Sequence, residues 1–326
     1  MKNNIKSNIR LNRSELAVPG IRKDFFEKAA KCKSDIVFLD LEDSVSVGDK
    51  IKARQNIIQA INEIDWKNKI LSVRVNSFET SFLEKDIEDI IKNTSDNLDL
   101  LMIPKVNSSN DIKKIDQLIT EYELKYKKKN QLGLELIIET ALGLINIEKI
   151  ALSSKRIESL HFGAADFSAS IGAKTTNIGG VNENYRIIES KNKINRNFFI
   201  NDMWHYPLSR IVITAHAFGL RAVDCPYGDF NDELGFETMA KSSYTMGFDG
   251  KMVIHPNQIE TANKIYSPTE EEVNESKKIL LQMEKAENQG KGAIAFNGKL
   301  LDIVSIKQAN NIVELANKIK KEKKKK

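Results

Sequence analysis

The chain has 326 residues, 41% hydrophobic and 29% charged, the make-up of an ordinary globular protein with room for one large domain and a smaller appendage. Its net charge of +5 comes from one end: Lys318–Lys326 holds seven lysines and one glutamate, which leaves the rest of the chain near neutral, so a broad basic face for nucleic acid is not expected. No apolar run is long enough to span a bilayer, residues 1–10 lack the apolar stretch of a secretory signal, and Cys32 and Cys225 lie too far apart in sequence for a disulfide framework or a metal cluster; a cytoplasmic protein without membrane or nucleic-acid partners is expected.

In chain order, apolar β-branched runs alternate with helical periodicity. The predicted strands are 16–18, 35–41, 70–75, 100–103, 133–138, 159–162, 220–223 and 250–254, and helical patterns fill the intervals, as at 50–64, 82–92, 111–126 and 233–246. Eight such units in this length predict a (β/α)8 barrel; a doubly wound open sheet gives the same local signal. Residues 175–207 interrupt the rhythm with a long excursion rich in Asn and aromatic side chains, of the kind that builds a site mouth or an interface. The barrel is expected over 1–266 and a C-terminal module over 267–326. In that module Thr269 caps an acidic helix start, a hairpin turns at Asn297-Gly298, and a last helix begins near Ser305. It is too small for a core of its own, so it should pack on the barrel or on a neighbouring subunit.

The chemistry lies at the strand ends. The second strand finishes in Asp40, Glu42 and Asp43, the third in Arg74 and Asn76, and the fourth in Lys105. The fifth finishes in Glu139, the sixth in Asp166, the seventh in Asp224 and the eighth in His255. In a barrel these ends converge on one mouth. Several converging carboxylates call for a cation, and oxygen ligands without clustered Cys or His favour Mg²⁺, with Mn²⁺ as the alternative. Each residue also has a structural reading: Asp43 as a helix cap, Lys105 as a partner for Glu42, Glu135 as a paired acid inside the barrel. Gly163-Ala164-Ala165-Asp166 lets backbone N–H groups approach a carboxylate or oxyanion. Arg22 and Lys28, beside the first helix, suit phosphate and equally suit solvated surface charge.

Together these segments resemble the citrate lyase β-subunit-like, or HpcH/HpaI aldolase, superfamily. The resemblance rests on Val18-Pro19-Gly20-x-Arg22, Leu39-Asp40-Leu41-Glu42-Asp43-Ser44-Val45, Ser72-Val73-Arg74-Val75-Asn76, Met102-Ile103-Pro104-Lys105-Val106, Ile137-Ile138-Glu139-Thr140, Gly163-Ala164-Ala165-Asp166-Phe167, Ile254-His255-Pro256-x-Gln258 and the run from Asp302 to Ala309. That last run and Asn177-Ile178-Gly179-Gly180 point to the branch acting on malyl-CoA and β-methylmalyl-CoA. The resemblance implies a Mg²⁺-dependent, reversible carbon–carbon lyase that forms glyoxylate and acetyl- or propionyl-CoA. A malyl-CoA thioesterase, a citramalyl-CoA lyase and a citrate lyase β-subunit are the alternatives within the family. It further implies that Glu139 and Asp166 bind the metal and that Glu42 and Asp43 hold its waters. Arg74, Ala165 and Asp166 would hold the oxo acid, and Arg22, Lys28, Ile254 and His255 the coenzyme A portion. Asp302 would be the acid/base, delivered by a neighbouring protomer of a trimer or dimer of trimers. Position 17, where relatives can carry an aromatic residue near the coenzyme, is Ala17.

Overall fold

The computed structural model describes residues 10–175, 177–188 and 197–325. Eight parallel strands close into a barrel: β1 (Ser14–Pro19), β2 (Ile36–Asp40), β3 (Ile70–Arg74), β4 (Leu100–Ile103), β5 (Gly133–Ile138), β6 (Ile157–Phe162) and, beyond the excursion, β9 (Arg221–Asp224) and β10 (Gly250–Val253). Around the barrel the order is β1-β10-β9-β6-β5-β4-β3-β2, with β1 pairing β2 to close it. The open-sheet alternative is thereby excluded. The excursion contributes a small antiparallel pair, β7 (Arg186–Ile188) with β8 (Phe198–Ile200), which periodicity alone did not reveal.

These runs become strands because they are buried on both faces, which selects near-continuous Ile, Val and Leu. Strand parity decides what enters the lumen. Ala17, Phe38, Met102, Ile137, Val223 and Met252 pack together although they come from six different strands, which is only possible inside the barrel. By the same parity Asp224 and Lys251 face outward, where they form a fully buried ion pair of 2.6 Å. Asp224 therefore braces the wall against its helices and does not belong to the mouth, contrary to the expectation from its strand-end position. Helix 233–246 starts at the Asp232 cap, whose carboxylate accepts from Gly235 N, and ends at Gly247, whose φ of +105° supplies the left-handed turn.

The chain divides into two compact units at Asn263/Lys264. In the second, Thr269 and Glu272 form a reciprocal capping box at the start of helix Glu270–Asn288. The strands β11 (Ile294–Phe296) and β12 (Lys299–Leu301) pair around Asn297 and Gly298, both with φ above zero, as a tight two-residue hairpin turn requires. Helix Ile303–Lys325 then packs along the first helix of this unit.

Candidate active site

The mouth is organised by Asp40, the last residue of β2. Its two carboxylate oxygens accept from Arg74 Nε at 2.6 Å and Arg74 Nη2 at 2.7 Å. They also accept from the backbone N–H groups of Glu42 and Ser44 and from the Ser44 hydroxyl. Burial opposes its ionisation, but these partners hold the carboxyl down to about 2. Asp40 therefore clamps Arg74 in one orientation. The guanidinium's remaining side, Nη1, lies 3.4 Å from Glu42 and 3.9 Å from Asp43. Despite burial, the carboxylates around Arg74 push its guanidinium further toward the charged form.

Lys105 follows β4 with a left-handed φ of +51°, a conformation that costs energy in a non-glycine residue and points to an over-determined local structure. The turn aims both ends of Lys105 into the site. Its backbone N–H donates to Glu139 Oε1 at 2.7 Å. Its ammonium pairs with Glu42 and lies 3.4 Å from both Asp43 and Asp166. Lys105 thus touches Glu42, Asp43, Glu139 and Asp166, a centrality that a strand-end lysine after a proline does not disclose in sequence.

Glu139 directly follows β5 and is almost fully buried, while Asp166, in the first turn of helix Ala164–Ser170 after β6, is partly exposed. Burial first, and then repulsion from Asp166, push the Glu139 carboxyl up to about 8. A buried carboxylate repelled by a partly exposed neighbour, with such a cost of ionisation, matches what a hard divalent cation relieves. Gly163 makes the arrangement feasible: a Cβ there would sit 2.3 Å from Glu139 Oε2 and 2.5 Å from Glu139 Cβ. Burial also raises the Glu42 carboxyl, which sits beside Asp43 and is opposed by Arg74 and Lys105.

The other expected residues fall into separate groups. Arg22 lies 3.9 Å over the Phe25 ring and Lys28 5.6 Å from it, while Arg22 pairs with Asp24 at 2.8 Å on the surface. His255 stacks on Phe230 at 4.9 Å and an interplanar angle of 17°, and Ile254 beside it is exposed. These are two cation- or ring-bearing edges outside the acid cluster. Ala17 belongs to neither; it packs into the lumen against the apolar layer. Asp302, in the second unit, uses Oδ1 to accept from Val304 N at 2.9 Å and Ser305 N at 3.2 Å, so it caps the helix that begins at Ile303.

Residues 13–256 match the HpcH/HpaI aldolase/citrate lyase family. The chain belongs to that family. Among curated family proteins, the L-malyl-CoA/β-methylmalyl-CoA lyase of Cereibacter sphaeroides is 44% identical over 95% of this chain and 96% of its own length. The malyl-CoA/β-methylmalyl-CoA/citramalyl-CoA lyase of Chloroflexus aurantiacus is 35% identical over 88% and 82%. The crystal structure of the CitE protein from Mycobacterium tuberculosis in complex with magnesium and acetoacetate is similar, with a TM-score of 0.61 and 25% identity over 80% of this chain and 93% of that one. The family's (β/α)8 barrel is the fold found here.

Proposed function

We propose that this protein is a Mg²⁺-dependent acyl-CoA lyase that reversibly cleaves L-malyl-CoA or β-methylmalyl-CoA to glyoxylate and acetyl- or propionyl-CoA. The observation that carries this reading is the buried Glu139 beside the partly exposed Asp166, with a clamped Arg74 in the same mouth. It is joined by near full-length similarity to enzymes named for that reaction. Glu139 and Asp166 would hold the metal. Bound there, it would supply Lewis-acid polarisation of the hydroxyl or oxo group on the carbon being cleaved.

The chain's own residues supply the rest. Arg74 presents fixed positive charge where negative charge develops on the oxo-acid and enolate oxygens, and Asp40 fixes its direction in advance. Ala165 and Asp166 lie in the first turn of a helix, where backbone N–H groups are free of intrahelical partners, and would take the oxo acid's carboxylate. Glu42 and Asp43 accept hydrogen bonds from water at the site, and Lys105 neutralises the pair. Arg22 and Lys28 suit the coenzyme's phosphates, with Ile254 and His255 along its acyl arm. Asp302, from a neighbouring protomer, would exchange the proton with the acetyl carbon. The exposed apolar strands Ile187, Ile188, Phe198, Phe199 and Ile200 support a homo-oligomer. No helix among the described residues is long and apolar enough to cross a membrane, in keeping with a cytoplasmic enzyme.

The test is incubation with Mg²⁺, glyoxylate and acetyl- or propionyl-CoA, read by mass spectrometry. Malyl- or β-methylmalyl-CoA should form, and a chelator should abolish it. Formation of free malate and CoA from malyl-CoA, with no glyoxylate, would make the protein a thioesterase and overturn the lyase reading.

A further inference from the structure

Below the apolar layer of the lumen lies a second layer of opposite character. Glu15 from β1, Glu135 from β5, Ser159 and His161 from β6, Ser72 from β3 and Arg221 from β9 all turn inward, and each is 97% buried or more. Glu135 lies two residues before Ile137 and faces the lumen by the same alternation, in register with Ser159. Beneath them the chain crosses the barrel floor: the Asn12 carbonyl approaches so closely that a Cβ on Gly250 would lie 1.5 Å from it. The Asn12 side chain is itself buried. The chamber is closed off from solvent below by this crossing and from the mouth above by Phe38, Met102, Ile137, Val223 and Met252.

What the chamber contains is unbalanced. Both Glu15 carboxylate oxygens, Glu135 Oε2, His161 Nδ1, Ser72 Oγ, both Asn12 amide atoms, and Arg221 Nε and Nη1 make no well-formed hydrogen bond within the protein, although Glu15 lies beside Asn12 and Glu135, and Glu135 beside Ser72. Such a concentration of orphaned polar atoms is costly unless something satisfies them. Glu15, Glu135 and His161 offer atoms all within 4.8 Å of one another, close enough to share a metal ion. A cation would serve only the acceptors, however. It would leave the Arg221 N–H groups and the Asn12 NH₂ unsatisfied, and it would lie beside a guanidinium that is 3.4 Å from Glu135. Water both donates and accepts, and so answers the whole set. Charge gives the second constraint. Two carboxylates face a single guanidinium in an enclosure cut off from solvent, so the acids outnumber the permanent cations, and a shared proton relieves the excess.

We propose that this chamber holds a cluster of internal water molecules and one proton carried by the Glu15–Glu135 pair, chiefly on Glu15, rather than a metal ion. Glu15 is the carrier because Glu135 has His161 at 3.6 Å and Arg221 at 3.4 Å to favour its charged form. Glu15 forms no ion pair as close, with His161 at 3.9 Å, and Arg221 and Asn12 only partly offset its burial. Burial and the charge of Glu135 raise the Glu15 carboxyl well above its ordinary range. Among the described residues its titratable neighbours are Glu135, His161 and Arg221, with Asn12 beside it, while β2, β4 and β10 bring the apolar Phe38, Met102 and Met252 into the lumen. Outside, Glu158 touches Arg221 at 3.4 Å and is paired to Arg10.

The consequence has a definite sign. A carboxyl whose pKa is higher in the folded than in the unfolded state binds more protons when folded. Its burial therefore costs stability progressively as pH rises above about 4.5. Glu15→Gln, which imitates the protonated acid, should remove this dependence. Its melting midpoint should exceed that of the wild type by a margin that widens from about pH 5 to pH 8. Parallel curves would overturn the proposal. If that variant does not fold, infrared spectroscopy decides without it. In Glu139→Gln protein, which removes the mouth acid pushed up to about 8, a buried protonated-carboxyl carbonyl band should persist at pH 8 and, where Glu15→Gln folds, be lost on adding it. Its absence would overturn the proton assignment. Elemental analysis of the same protein after dialysis should find no retained stoichiometric metal; a retained ion whose removal lowers the melting midpoint would replace the water cluster with a cation. None of these readouts depends on turnover, so the reaction and the chamber stand or fall separately.

Discussion

At the residue scale, the site depends on a charge held still. Arg74 is engaged through two of its nitrogens by Asp40, which faces it from the neighbouring strand in register. Lysine at this position keeps the charge but not the planar fork, so it cannot occupy both Asp40 oxygens and still present a group toward Glu42. Arg74→Lys should stay folded and lose roughly two orders of magnitude in kcat, in line with removal of a donor made for the transition state. A near wild-type kcat with only KM changed would reduce Arg74 to ground-state binding. Sequence made Arg74, Glu42, Asp43, Glu139 and Asp166 visible because polar residues at strand ends interrupt otherwise apolar runs. It could not separate Asp40, which serves Arg74, from Glu42, two residues on. Nor could it separate Asp224, which pairs outward with Lys251, from a mouth acid. Those distinctions depend on which side of a strand each residue faces, and at a strand's last residue the alternation that reveals the side has run out.

At the scale of elements, the strand-to-helix turn after β6 controls how closely Glu139 and Asp166 approach. Gly163 packs its backbone against the Glu139 side chain, and an added methyl would overlap it by well over half an ångström. Gly163→Ala should therefore displace Glu139 first, with only a small adjustment of Ile137, whose Cγ2 would lie 3.0 Å from the new methyl. The expected result is a fall in activity of roughly 10²-fold, as for a displacement of about 1 Å at a reacting centre. It should be accompanied by a raised Mg²⁺ requirement in a titration of initial rate. Unchanged Mg²⁺ dependence would show that Glu139 has room the packing does not reveal. The elements themselves were legible: the eight strands follow from apolar runs, and helix 233–246 is the predicted span. The β7–β8 pair was not, because its side chains are exposed on every strand position and so leave no burial pattern to read. Residues 189–196 of that excursion lie outside the described residues.

At the scale of the whole molecule, the open question is how Asp302 meets the chemistry. It lies in the second compact unit, and its capping role there is plain: Oδ1 alone takes the two N–H groups of Val304 and Ser305. A cap that uses one carboxylate oxygen leaves Oδ2 outside the cap, so capping and proton transfer do not compete for the same atom. The cap also fixes the carboxylate's direction, which a general acid/base needs. If a neighbouring protomer supplies Asp302, a complete site needs a sound barrel from one chain and a sound C-terminal unit from another. Asp302→Asn and Glu139→Gln should each be folded and inactive. Each defect lies in a different part of the shared site, so co-refolding equal amounts should restore activity to about a quarter of sites in a randomly mixed cyclic oligomer. The readout is specific activity beside native mass spectrometry of the mixture, which shows whether subunits have exchanged. Absence of recovery in exchanged oligomers would mean that each Asp302 serves its own barrel. An active Asp302→Asn would leave the residue with its cap alone.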